Sequence, residues 1–189
     1  MSREYSELGR LQGGHSAAIT AIAISPRATY LASAGLDNRV CVWELSSGKL
    51  LYEYNGSSAA VSLAWLPAGE DRILCSMLDG YVVSLSFSVA AITARGFVVH
   101  SEAVECLVIK GQRVASGAHR EVRVWDWTTD GPWTLHYEVE EPLSHQHEEV
   151  LVTGLSWDDS TGKTRLVVAY LEHGIRWVSL PVLRVNGSK

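Results

Sequence analysis

Gly14-His15, an apolar run, Leu31-Ala32-Ser33-Ala34-Gly35-Leu36-Asp37 and Val40-Cys41-Val42-Trp43-Glu44 form a unit that this chain repeats. A worn copy reads His100, Ala115-Ser116-Gly117 and Val122-Arg123-Val124-Trp125-Asp126. Trp43 and Trp125 lie 82 positions apart, two units of 41. A period of roughly 40–45 residues marks an array in which each unit is one supersecondary element. Such a unit cannot bury both its faces alone, so it stacks on neighbours.

Working outward, each unit reads as four short strands. Unit one predicts strands at 19–24, 30–34, 40–44 and 50–54, with Ser25-Pro26, Asp37-Asn38 and Ser47-Gly48 as turns. Proline cannot continue a central ladder, and Asn, Asp and Gly accept turn backbones. The first strand, Ile-Thr-Ala-Ile-Ala-Ile, reads as buried on both faces between neighbours. Unit two predicts 61–65, 72–77, 81–87 and 92–99, with Asp79-Gly80 as a hairpin signal and Gly96 as a bulge. Unit three predicts 103–109, 113–116, 122–127 and 133–139. Unit four predicts 151–157, 165–170 and 175–180, with a short fourth candidate at 182–185. Residues 5–12 read as a lone outer strand of the kind a preceding unit would contribute, and no helical period of useful length appears.

Composition limits the function classes. The 189 residues carry a formal charge of −5, with 47% hydrophobic and 20% charged residues. Nucleic-acid binding needs a basic stripe, and the sequence has none. No stretch reaches the 18 apolar residues of a membrane span, and residues 1–14 lack a secretory apolar core. Cys41, Cys75 and Cys106 all sit in apolar runs, which argues for small core residues in a reducing compartment. The reading is therefore cytoplasmic or nuclear, without nucleic acid or membrane as partner.

With these residues in view, the chain resembles the WD-repeat (WD40) β-propeller family over about residues 5–186. The resemblance implies an all-β fold, a single domain over 1–189 of about four four-stranded antiparallel blades at 15–55, 57–99, 100–140 and 147–186. It also implies a hydrogen-bonded structural tetrad in a blade: His, Ser or Thr, Asp and Trp. Carried onto this sequence, the tetrad of blade one is His15, Ser33, Asp37 and Trp43. Blade two keeps Ser76 and Asp79, with Ser57 for His and Leu85 for Trp. Blade three keeps His100, Ser116 and Trp125, with His119 at the Asp position. Blade four has no Trp at its third strand, and His147 falls one residue off register.

The family resemblance implies a non-catalytic scaffold or adaptor that binds proteins or peptides on the propeller face, with no cofactor and no bound metal. The loops implied to meet a partner hold Leu36, Asn38, Leu78, Glu102, His119, Arg120, Glu149 and Glu172, beside Ala17, Ala18 and Ser58. Trp133, next to Pro132, reads as an exposed anchor. An alternative reading is a propeller hydrolase or metal-dependent enzyme that uses the histidines of repeats three and four. His145 and His147, with Glu148 and Glu149, carry that alternative, although no third metal ligand has a defined spacing. A Gly-x-Ser-x-Gly elbow is absent from the sequence. Four blades fall short of the seven usual in the family. Three arrangements stay open: a partial propeller, two copies joined in a homo-oligomeric ring, or closure on four blades.

Overall fold

Short apolar runs broken by turn residues fold here into consecutive meanders, one per repeat. The computed structural model describes residues 6, 9–67, 69–88, 91–128, 133–144 and 149–180. Blade one holds β1 (Ile19–Ile24), β2 (Tyr30–Gly35), β3 (Arg39–Glu44) and β4 (Leu50–Asn55). Blade two holds β5 (Ala60–Trp65), β6 (Arg72–Met77), β7 (Tyr81–Phe87) and β8 (Ile92–Val98). Blade three holds β9 (Cys106–Lys110), β10 (Arg113–Ala118), β11 (Glu121–Asp126) and β12 (Thr134–Val139). Blade four holds β13 (Val152–Asp158), β14 (Arg165–Tyr170) and β15 (Gly174–Ser179). Each sheet runs in sequence order with antiparallel neighbours, and the described residues contain no helix. The propeller is incomplete: four successive blades form an arc.

The blades stack face to face, and the strands' period of two decides what meets. The trailing face of blade one offers Ala32, Ala34, Val40 and Val42, with Ala21 and Ala23 on its inner strand. Small residues there let the next blade approach closely. Into that face pack Trp65, Ile73, Cys75, Met77 and Leu85 of blade two. Trp65 also donates its indole N–H to the Ala23 carbonyl at 2.9 Å. A second core joins blades two and three through Leu74, Val82, Val104, Leu107 and Val114. A third joins blades three and four through Ala115, Val122, Val124, Leu166 and Val168. Fully burying one such aliphatic side chain is worth about 1.5–3 kcal/mol, so these joints, more than the hairpins alone, hold the arc.

Polar latches reinforce the joints. Glu70, in the β5–β6 turn, accepts from the Ser25 hydroxyl and from the Arg27 amide (2.9 Å) and guanidinium (3.1 Å) of blade one. Burial opposes its charge, but these bonds outweigh it and hold its pKa at about 2, below the ordinary 4.5. Between blades three and four, Lys110 pairs with Asp159.

Several sequence expectations change. Residues 6 and 9–12 form no strand; the remainder of the proposed 5–12 strand, and the 182–185 candidate, lie outside the described residues. Strand β1 is not buried on both faces: Ile22 is 66% and Ile24 59% exposed. Among the described residues no strand packs on that side; only the segment before β1 reaches it, with Gly14 over the Trp43 ring. Gly96 makes no bulge, since β7 and β8 pair without interruption from Tyr81↔Val98 to Phe87↔Ile92. A Cβ at Gly96 would stand 3.3 Å from the Tyr81 ring, so the glycine makes room for an aromatic face instead. Trp133 is no exposed anchor; it stacks on Phe97 with ring centroids 4.9 Å apart. An aromatic ring in a loop finds more apolar area against the next sheet than against water.

Candidate functional site

The turns after the second strands of blades one and three each carry a chain of side-chain hydrogen bonds. In blade one the Trp43 indole N–H donates to Ser33 Oγ at 2.9 Å, and the Ser33 hydroxyl donates to His15 Nε2 at 2.8 Å. His15 Nδ1–H then donates to Asp37 Oδ1 at 3.0 Å, the tautomer that satisfies every partner. Asp37 also accepts the backbone N–H groups of Ser16 (2.7 Å) and Arg39 (3.2 Å). Burial works against the Asp37 charge, but the bonds from Ser16, His15 and Arg39 outweigh it and carry the carboxyl from 3.8 to about 2. The chain of bonds thus ties the loop before β1, the strand β2, the turn and the strand β3 into one rigid corner. Gly14 is part of that corner: a Cβ there would sit 2.3 Å from the Trp43 ring.

Ser33, His15 and Asp37 stand in the order of a nucleophilic relay. Yet Ser33 is 3% exposed and its oxygen already accepts from Trp43. A catalytic serine needs its oxygen free beside an oxyanion site. The geometry suits a structural clamp.

Blade three builds the same clamp with a different acid. Trp125 donates to Ser116 Oγ at 2.9 Å, and Ser116 to His100 Nε2 at 2.8 Å. His100 Nδ1–H donates to Glu121 Oε2 at 3.0 Å. The sequence places His119 at the Asp position, and this is corrected by the turn length. Gly117 pairs with Val122 across four residues, whereas the equivalent Ala34 pairs with Val40 across five, so the blade-three turn is one residue shorter. The Asp position is deleted, and Glu121 on the following strand reaches back with its extra methylene. Burial is the larger influence on His100 and lowers its pKa despite the Glu121 bond, leaving a neutral imidazole.

In blade two the strand register moves the predicted serine to the other face. Ile73 pairs with Leu85 and Cys75 with Val83, as Leu31 pairs with Trp43 and Ser33 with Cys41. Cys75 therefore occupies the Ser33 position, and Ser76 occupies that of Ala34. The Ser76 hydroxyl is buried and makes no side-chain bond. Asp79 accepts the Tyr81 N–H at 3.4 Å, and Ser57 is exposed. Blade four has Val168 and Val178 at the Ser and Trp positions. There Glu172 takes the place of Asp37 and accepts the Glu149 N–H at 2.8 Å.

These corners set the partner-facing residues that the sequence nominated. Leu36, Leu78, Glu102, His119, Arg120, Glu149 and Glu172 are exposed, and Asn38 is half-buried. Leu36 and Leu78 occupy equivalent turn positions, as does Leu171, which the sequence reading missed. The three are 54%, 46% and 57% exposed. Their N–H groups bond the equivalent carbonyls of Ala18, Ala59 and Leu151, so the three turns share one geometry. The signal was available: each leucine precedes an acid in Gly-Leu-Asp, Met-Leu-Asp and Tyr-Leu-Glu. Of the histidines offered for metal or hydrolase chemistry, His145 and His147, with Glu148, lie outside the described residues. Among the described residues no three His, Cys, Asp or Glu side chains gather as a metal site.

A family model described as WD domain, G-beta repeat matches residues 6–44. The ribosome biogenesis protein erb1 of Botryotinia fuckeliana (strain B05.10) is 34% identical over 128 residues, which is 60% of this chain and 17% of that protein. The chain thus spans about one sixth of the length of the curated relatives it matches first. The computationally designed Ika4 protein superposes with a TM-score of 0.69 at 22% identity, over 94% of this chain and 100% of that one. The Myceliophteria thermophila Cps50 (Swd1) β-propeller domain superposes with a TM-score of 0.69 at 16% identity, over 86% of this chain and 54% of that one. At these identities the solved structures speak for the fold alone.

Proposed function

For a chain that belongs to the WD-repeat β-propeller family, we propose a non-catalytic scaffold role in which the turn-bearing face binds a protein or peptide partner. One observation carries this reading: Leu36, Leu78 and Leu171 stand exposed at the same position of three blades, each on a corner pinned by backbone bonds. Exposed apolar side chains on rigid corners bind without first losing conformational freedom. Glu102, Glu149 and Glu172 border the leucines, with His119 and Arg120 in the third turn. This rim favours a segment that pairs apolar side chains with Lys or Arg.

His15, Ser33, Asp37 and Trp43 serve this role as structure, as do His100, Ser116, Glu121 and Trp125. They hold the corners and leave the surface to the loop residues. We assign the protein to the cytoplasm or nucleus. Two observations support that assignment: the described cysteines are all free, and no helix of the described residues is long and apolar enough to cross a membrane.

The test compares the wild-type chain with a Leu36→Ser, Leu78→Ser, Leu171→Ser triple variant as bait in extract of the source cells. The expected result is at least one protein retained by wild type, released by the triple variant, and competed by untagged wild type. Identical capture by both baits, with matching melting curves, refutes the assignment of this face.

A further inference from the structure

Blade two keeps the acid of the clamp and lacks the groups that hold it. Ala60 pairs with Met77 as Ile19 pairs with Gly35, so by the same count back Gly56, not Ser57, stands at the His15 position. A Cβ at Gly35 would meet His15 Nδ1 at 2.7 Å, so a side chain there excludes the imidazole. Blade two has that side chain: Met77 is buried, and a Cβ at Gly56 would stand 3.0 Å from its methyl. Asp79 is left with the Tyr81 N–H at 3.4 Å, where Asp37 accepts from His15, Ser16 and Arg39. Among the described residues no Lys, Arg or His pairs with Asp79. Beside it a cleft of about 230 Å³ opens in the joint between blades one and two. Tyr54 of blade one lines one wall, and Met77, Asp79, Tyr81, Ala94 and Gly96 of blade two line the other. The outer strand makes the room: Ala94 and Gly96 lie opposite Leu85 and Val83, where blade one sets Leu50 and Glu53 opposite Trp43 and Cys41.

We propose that this cleft takes the cationic end of a Lys or Arg side chain from the partner. The inference rests on the partner-face reading, since exposed Leu78 adjoins Asp79 in the same turn. Charge selects the occupant first: the exposed Asp79 carboxylate has acceptor positions left for an ammonium or guanidinium. The walls agree with it. Tyr54 and Tyr81 both line the cleft, and the π-face of an aromatic ring attracts a cation. The Tyr81 ring lies over Gly96, 3.3 Å from where a Cβ would stand, so a side chain at that position would take up the space. Size points the same way. The volume falls below the roughly 300 Å³ at which small-molecule pockets begin, which suits one inserted side chain. An acidic side chain would be repelled by Asp79, and a neutral one would leave it unpaired.

The chain has two methionines, Met1 and Met77, so a carbon-13 methyl label on methionine reports the cleft through one internal signal. Butylguanidinium and butylammonium chloride are titrated into the labelled full chain, with neutral N-butylacetamide as the comparison. The Met77 methyl is expected to shift saturably with both cations, less so as salt is added, and not with the amide. Asp79→Asn should bind the cations about fivefold more weakly, the worth of one exposed ion pair. Ala94→Leu places in blade two the residue that blade one has at Leu50; it should fill the cleft and abolish the shift while the chain still melts cooperatively. A flat Met77 signal in wild type overturns the proposal, as does an equal response to the amide. Asp79→Asn that binds the cations as wild type does overturns it too. The outcomes separate from those of the leucine test: a flat signal beside leucine-dependent capture strikes the cleft alone. A saturating cation response beside identical capture by both leucine baits strikes the face and keeps the cation site.

Discussion

Replacing Asp37 by Ala removes the acid at the end of the blade-one clamp. Three N–H donors lose their acceptor: His15 Nδ1, the Ser16 amide and the Arg39 amide. The carboxyl titrates at about 2 instead of 3.8, so its charged form is favoured by nearly two units. At 1.36 kcal/mol per unit this bounds the charged-form contribution at roughly 2.5 kcal/mol. The corner lies at the sheet rim, where solvent screening reduces the figure, and about 1–2 kcal/mol is the working value. Stranding the His15 donor adds to the loss, which brings the expected total to about 2 kcal/mol. For a chain of this length that is a fall in melting temperature of roughly 4–8 °C. The pH dependence has a definite sign. Because the folded carboxyl has the lower pKa, its contribution is complete above the ordinary value and disappears as pH falls through about 2. Wild type and Asp37→Ala should therefore differ in thermal melts at neutral pH and converge as the pH approaches 2. A gap that is equal at both ends of that range, or no gap at neutral pH, refutes the charged clamp.

The blade-three acid is a matter of reach, so Glu121→Asp should lose the His100 bond and about 1 kcal/mol in urea melts. Inserting an Asp between His119 and Arg120 restores the blade-one turn length and should recover much of that loss. The Ser76 hydroxyl is buried without a side-chain partner, and Ser76→Ala should leave stability unchanged or raise it by up to about 1 kcal/mol. Burial, the leading influence on each thiol, raises Cys41 and Cys106 to about 11 and Cys75 further still. Maleimide at mildly alkaline pH should accordingly label all three only after unfolding; rapid labelling of the native chain would contradict the packing.

Much of the fold was legible because strand patterning and turn chemistry agreed within each repeat. The residues 72–77, 81–87 and 165–170 stand as strands with the predicted bounds. The misses share a physical origin in register and neighbours, which a single strand does not record. Ser76 and Cys75 are adjacent, and either could fill the serine position; only pairing with β7 shows that Cys75 does. Glu121 was hidden because a deletion in its turn moved the acid to another position of the repeat. Ile22 and Ile24 read as buried because their pattern is that of an interior blade, and nothing within a strand states whether a neighbour follows. Trp133 read as exposed because its loop was legible while the Phe97 ring beside it was not.

Among the described residues, blades two and three are flanked by a blade on both sides, whereas blades one and four are flanked on one. In a stack where every sheet touches only its two flanks, opening propagates inward from the ends. The amides of β6 and β10 should then be the last in the chain to exchange with solvent deuterium.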